Sequence, residues 1–112
     1  MTTTAKCLLE AKYAENSQTT QFTSPSGTRT IIDKFSATNV TGSNATLVIN
    51  IVASGGSASA ANVILQTKTI AAGEVYLCPE IVGQILGAAS FVSTLAGTGS
   101  AIVIRASGRE VT

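Results

Sequence analysis

The chain is predicted to fold as a single all-β domain, an antiparallel β-sandwich of about eight strands. Three observations carry that prediction: β-prone apolar runs recur along the sequence, each is followed by a Gly, Ser or Asn turn, and the runs return at the roughly 8–12-residue spacing of sandwiches and barrels. A length of 112 residues suits one domain that buries its own core without staples.

The first element is read over residues 5–14, where Ala5, Cys7, Leu9, Ala11 and Tyr13 alternate with Lys6, Leu8, Glu10, Lys12 and Ala14. That is the period of a half-buried strand, although a helix stays open as an alternative. Residues 1–5 ahead of it are expected to form a flexible N-terminal arm. Asn16-Ser17-Gln18 reads as a turn, Thr19–Thr23 as a short strand, and Ser24-Pro25-Ser26-Gly27 as a turn. Over Thr28–Thr38, Ile31, Asp33, Phe35 and Ala37 oppose Ile32, Lys34, Ser36 and Thr38. Neither face is purely apolar, which predicts a bulge or a strand flanked by two neighbours.

Asn39–Asn44 closes that strand as a loop, and Ala45–Ala53 is the strongest core strand, with Leu47, Ile49, Ile51 and Ala53 directed inward. The following Ser54, Gly55, Gly56, Ser57, Ala58 and Ser59, continuing to Ala61, lack bulky apolar side chains. They are expected to form a flexible loop that a protein partner orders. Asn62–Ile70 is the next strand, Ala71–Glu74 a turn, and Val75–Cys78 a strand stopped by Pro79, which has no N–H to donate. Within 79–86, Ile81/Ile85 and Val82/Leu86 stand at helical spacing behind a proline, predicting one or two helical turns. Phe91–Ala96 and Ala101–Ala106 complete the set around a Gly97–Ser100 turn. The pattern does not separate a jelly-roll from an immunoglobulin-like topology.

Charged residues make up 12% of the chain, about half the usual share. A surface of Ser, Thr, Asn, Gln and Ala costs little to desolvate, and depletion of charge marks interface cores. The expected partners are therefore copies of the chain itself and other proteins. A net charge of +1 from seven scattered basic residues leaves no footprint for nucleic acid. No run approaches the roughly 18 apolar residues of a membrane span, and the first ten residues lack a signal-peptide pattern. Cys7 and Cys78 have no metal-site spacing. Two small buried side chains, a Cys7–Cys78 disulfide, or a bridge between subunits all remain open.

The chain has no histidine, so the commonest general base and metal ligand are missing. Of six acidic residues only Glu74 and Glu80 bracket a strand in a tempting way, and both occupy turn-like positions better suited to solvation than to catalysis. Gly55-Gly56 lacks the Lys-Ser/Thr of a phosphate-binding loop. The sequons at Asn39 and Asn44 are those expected by accident in a Thr/Asn-rich chain. Without Trp, sugar stacking would fall to few aromatics: Phe35 and Phe91 are expected in the core, and Tyr13 or Tyr76 either there or at a subunit boundary. No catalytic residue, metal, cofactor or small-molecule substrate is expected.

Read in order, Asp33–Ser57 with its Ser-Gly-Gly-Ser end, Ile70-Ala-Ala-Gly-Glu74, Glu80–Leu86 and Ile104–Thr112 resemble small structural proteins of tailed bacteriophages. The resemblance covers about residues 28–112. It implies a non-enzymatic particle component: a capsid cement or decoration protein bound to the major capsid protein, or a neck, collar or tail subunit. It also implies a virion location after a soluble stage in the host cytoplasm. A host-surface carbohydrate-binding module is the competing class.

Overall fold

The structure is a computed structural model that describes residues 2–112. Among the described residues it contains nine strands and no helix: β1 Thr3–Tyr13, β2 Thr19–Thr23, β3 Arg29–Asn39, β4 Ala45–Val52, β5 Val63–Ile70, β6 Val75–Tyr76, β7 Ile85–Leu86, β8 Phe91–Ala96 and β9 Ile102–Val111. Two antiparallel sheets pack together. Sheet A runs β1-β9-β3-β6, with β7 also on β3, and sheet B runs β2-β8-β4-β5. The ninth strand arises because the chain leaves β3 after β6, which pairs Ala37 and Thr38, and rejoins it at β7, which pairs Thr30 and Ile31. In effect β6 and β7 are one interrupted strand.

The helical turns expected over residues 79–86 are not formed. Ile81 and Val82 both donate to the Cys78 carbonyl, at 2.9 and 3.3 Å, which is one turn and no more. Gly83 then adopts φ 88°, a left-handed conformation open to glycine and incompatible with a continuing helix. Its N–H donates to Ile32 O at 2.7 Å, and Ile32 N–H donates to Gln84 O at 3.0 Å. Bonds to β3 thus replace the bonds a helix would have made.

The bulge anticipated in the third strand sits at Asp33: Ile32 pairs with Gly108 and Lys34 with Ser107, leaving one extra residue on β3. It shifts the inward set from Thr30 and Ile32 to Phe35, Ala37 and Asn39, all buried, and explains why neither alternating set is apolar throughout. β4 turns Leu47, Ile49 and Ile51 inward as expected, with Leu47 and Ile49 fully buried, but the strand ends at Val52 and Ala53, expected to complete that set, is exposed. Phe35, Ile32, Ile81, Leu86, Ile102 and Ile104 fill the rest of the space. Phe91 is only half-buried.

The N-terminal arm is also corrected. Thr3, Thr4 and Ala5 belong to β1 and pair with Val111, Glu110 and Arg109 of β9; Met1 lies outside the described residues. Thr2 and Thr112 exchange backbone hydrogen bonds of 3.0 and 2.9 Å, extending the ladder. Two register shifts, between Cys7 and Leu9 and between Leu9 and Lys12, break the alternation expected over residues 5–14. Leu9 is buried, whereas Cys7 and Tyr13, expected on the same face, are exposed.

There is no Cys7–Cys78 disulfide. Cys7 is an exposed thiol on β1 and Cys78 a buried one after β6, and both are free. Asn39 of the first sequon is fully buried. Its amide donates to Ser43 O and Ile70 O at 2.7 and 2.9 Å and its Oδ1 accepts from Thr41, so it organises the β3–β4 turn. No helix among the described residues is long and apolar enough to cross a membrane.

Candidate interaction surface

The sequence points to Ser54–Ala61 as the contact loop, and the structure folds that loop back onto sheet B. Asn50 of β4 donates to Ser59 O at 2.9 Å and Asn62 Oδ1 at 2.7 Å, while Asn62 donates to Ser57 O at 2.9 Å and accepts from Ser59 N–H at 3.0 Å. Gly56 lies so close to Val52 that an added Cβ would stand 3.2 Å from Val52 Cγ1. The loop therefore orders on its own chain and covers Asn50 and Val52, outward residues of β4 that are nonetheless buried. Ser54, Gly55, Gly56 and Ser57 remain exposed at its tip, and Ala58 is partly covered.

A shallow depression beside the loop is lined by Gln18, Asn50, Ser59 and Gln66. Two of its amides are already engaged, Asn50 as above and Gln18 on Ser93 Oγ at 2.7 Å, which leaves little to recognise a ligand. Asn50→Ala is expected to cost about 1–2 kcal/mol, because two hydrogen bonds are lost while Ser59 O keeps the Asn62 N–H and Asn62 Oδ1 keeps the Ser59 N–H as donors. Urea denaturation checks the cost, and faster amide exchange confined to residues 57–62 checks its location.

The opposite face of the molecule is different. Tyr13 pairs with Val103, Val103 with Thr38 and Thr38 with Val75, so one row crosses all four strands on a single face. The adjacent row, Ala37 with Ile104, is buried in the core, so the row of Tyr13 faces outward. Tyr13 is 49% and Val75 53% exposed. Val40, two residues beyond Thr38 on the same alternation, is 52% exposed. Further along the same face Ala5, Arg109, Ile31 and Ile85 form a second row, with Ile85 60% exposed. Leu77 and Val82, also exposed, lie in the segment between β6 and β7. Sheet B carries no exposed large hydrophobic among the described residues.

Four of the charges on this face are paired within it, while Arg29 and Lys34, set opposite Val111 and Ser107 on the same alternation, are exposed. Arg109 grips Asp33 with two bonds of 2.9 Å, and Arg105 stands 3.5 Å from Glu10. The Arg109 hydrogen bonds hold Asp33 below the usual carboxylate range. The Cys7 thiol donates to Glu10 at 2.9 Å, which lowers the Glu10 carboxyl and raises the thiol. Cys7 is therefore kept protonated rather than activated.

At the edge of the sandwich Tyr76 of β6 donates to Glu80 at 2.7 Å, and Lys68 of β5 lies 4.8 Å above its ring. This contact ties an edge of sheet A to an edge of sheet B and commits Glu80, half of the only carboxylate pair the sequence suggests. Among the described residues no three His, Cys, Asp or Glu side chains converge as a metal site would require. No protein-family model, curated protein or solved structure matches the chain.

The titrations predict two limbs of pH dependence. Glu10, Glu15, Asp33 and Glu80 are all lowered, chiefly by side-chain hydrogen bonds from Cys7, Lys12, Arg109 and Tyr76. Their contribution is present above the ordinary carboxylate pKa of about 4 and is lost as pH falls through the lower folded values. Because these groups are exposed, that limb is shallow and weakened by salt. Burial pushes Cys78 from 9.0 up to about 12. Above pH 9 the unfolded thiol ionises while the folded one does not, so stability falls from there towards pH 12. Tyr76 is raised from 10.0 to about 12 as well, by burial first and then by its bond to Glu80, and adds to the same limb above pH 10. Tm against pH should show both limbs, and Cys78→Ala should flatten the alkaline one between pH 9 and 10 and leave the Tyr76 part; an unchanged fall between pH 9 and 10 would remove the assignment to Cys78.

Proposed function

We propose that this chain is a non-enzymatic structural subunit of a bacteriophage particle, a capsid cement or decoration protein that binds the major capsid protein and stabilises the assembled shell. The observation that carries the reading is the strand order. With β6 and β7 counted as one interrupted strand, the pairs are first with last, second with next to last, third with sixth, and fourth with fifth. This is a long hairpin rolled into two sheets, the jelly roll found in viral capsid and lectin domains. The order of turns that resembles small tailed-phage proteins points to the first of these, and the shortage of exposed aromatics argues against the second. Fold alone does not give function, so the low overall charge and the exposed apolar row on sheet A supply the remaining support: they suit repeated protein contacts.

A bound cement subunit stabilises the shell by mass action, because it favours the assembled state it binds. The protein would be soluble in the host cytoplasm before assembly and end in the virion. Quantitative mass spectrometry of particles from the phage that encodes it tests this. A decoration protein should approach the copy number of the major capsid protein. A count at a small multiple of the tail's symmetry would favour a neck, collar or tail subunit instead, and absence from particles would overturn both.

A further inference from the structure

We infer that the outer face of sheet A packs face to face against the same face of a second copy, about a two-fold axis running along the strands. The inference rests on the assembly reading only for what the dimer is used for. Its physical basis is the row Tyr13, Val103, Thr38 and Val75. A two-fold along the strands exchanges the two sides of the sheet and keeps its two ends, so β1 lies over the second copy's β6 and β9 over its β3. Tyr13 then meets Val75 of the second copy and Val103 meets its Thr38, and the exposed row covers itself. A two-fold across the strands would instead lay that row over the end of the sheet that carries Arg109.

The size of the face is adequate. Four strands about 4.8 Å apart, with β3 spanning eleven residues at about 3.3 Å each, give roughly 700 Å². Standard interfaces need about 800 Å² from each partner, which exposed Leu77 and Val82 beside the edge help to reach. Two sheets in this arrangement stack about 10 Å apart with their strands within about 30°.

Charge does not oppose the contact. Asp33 with Arg109 and Glu10 with Arg105 are neutralised within each face, so neither enters the interface as a lone ion. Lys34, and Arg29 at the end of β3 beside Val111, are exposed, and each has a stem long enough to carry its charge to the rim. Sheet B offers no comparable surface: its outward face holds no exposed large hydrophobic among the described residues.

Sedimentation velocity on the purified chain over a dilution series is the first test, with a mass of two chains expected. A monomer at every concentration, or a mass of three chains, would overturn the inference. Tyr13→Lys with Val75→Lys should return the mass to one chain with an unchanged circular dichroism spectrum, whereas Thr20→Lys on sheet B should leave the dimer intact. A dimer that survives the double lysine change would also overturn it. Should that variant misfold, Tyr13→Cys with Val75→Cys in a Cys7→Ser background decides: oxidised dimers cross-linked between positions 13 and 75 are expected, and a dimer without that cross-link places the contact elsewhere. A monomer that is still found in particles removes this inference alone, and a dimer absent from particles removes the assembly reading alone.

Discussion

Phe35→Ala is expected to destabilise the fold by about 3–5 kcal/mol, the range for truncating a fully buried aromatic side chain. Phe35 is 0% exposed and among the largest buried side chains. It follows the Asp33 bulge on β3 and pairs with Ala106 on β9, whose small side chain leaves room for the ring. Neither sheet can close inward to refill the void, because β3 is held on one side by β9 and on the other by β6 and β7. A loss of this size is a large fraction of the roughly 5–15 kcal/mol that holds a domain together. The midpoint of urea unfolding should fall with little change in slope, and Phe35→Leu should cost much less. A Phe35→Ala loss below about 1 kcal/mol would mean the core is not packed around this residue.

Gly108→Ala is expected to be nearly as damaging, at about 2–3 kcal/mol, and Gly108→Val to prevent folding. A Cβ at position 108 would run into the Ile31 backbone carbonyl and stand 3.0 Å from Leu8 Cδ1. Backbone cannot rotate away as a side-chain tip can, so relief requires separating β9 from β3. Those strands meet at the bulge that sets Asp33 beside Arg109, and the ion pair should be lost with the register. Gly42→Ala is the matched control, since nothing lies within 4 Å of its added Cβ; its effect should stay within about 0.5 kcal/mol. Thermal unfolding of both variants separates a local steric conflict from a general intolerance of glycine replacement.

Gly108 also shows where the sequence is hard to read. Ser107-Gly-Arg-Glu110 has the composition of a turn, yet it extends β9 to Val111. With that partner hidden, the first residues look like a free arm. Part of the signal is present on β3, where mixed alternation points to a bulge or to neighbours on both sides, but nothing in that alternation shows that Gly108 lies against Ile31. The β4 alternation, by contrast, is plain, because Leu47, Ile49 and Ile51 need only a strand period. Residues 79–86 depart from expectation for a tertiary reason: helical spacing of Ile81 and Ile85 is a local property, but Gly83 and Ile32 bind one another across the sheet edge.

The candidate surface is less legible than the fold. Low complexity draws attention to Ser54–Ser59, but Asn50 and Asn62, polar residues that resemble ordinary turn vocabulary, hold that loop down. The apolar row on sheet A is contributed by four strands distant in sequence, and no window of the chain contains it. Of its members only Tyr13 stands out in the sequence, as a residue for either the core or a boundary, and it is exposed.

The nested order of the strands also governs how the chain reaches its fold. Only β4 and β5 are both adjacent in sequence and paired with one another, so their hairpin can form first at small loop-closure cost. Each later pair encloses the one before it, and β1 with β9 joins the two ends of the chain, Thr3 to Val111. β1 is thus made first and paired last. Until Val111 leaves the ribosome its long edge has no partner, and that waiting period, rather than the finished molecule, is when the chain is most open to aggregation.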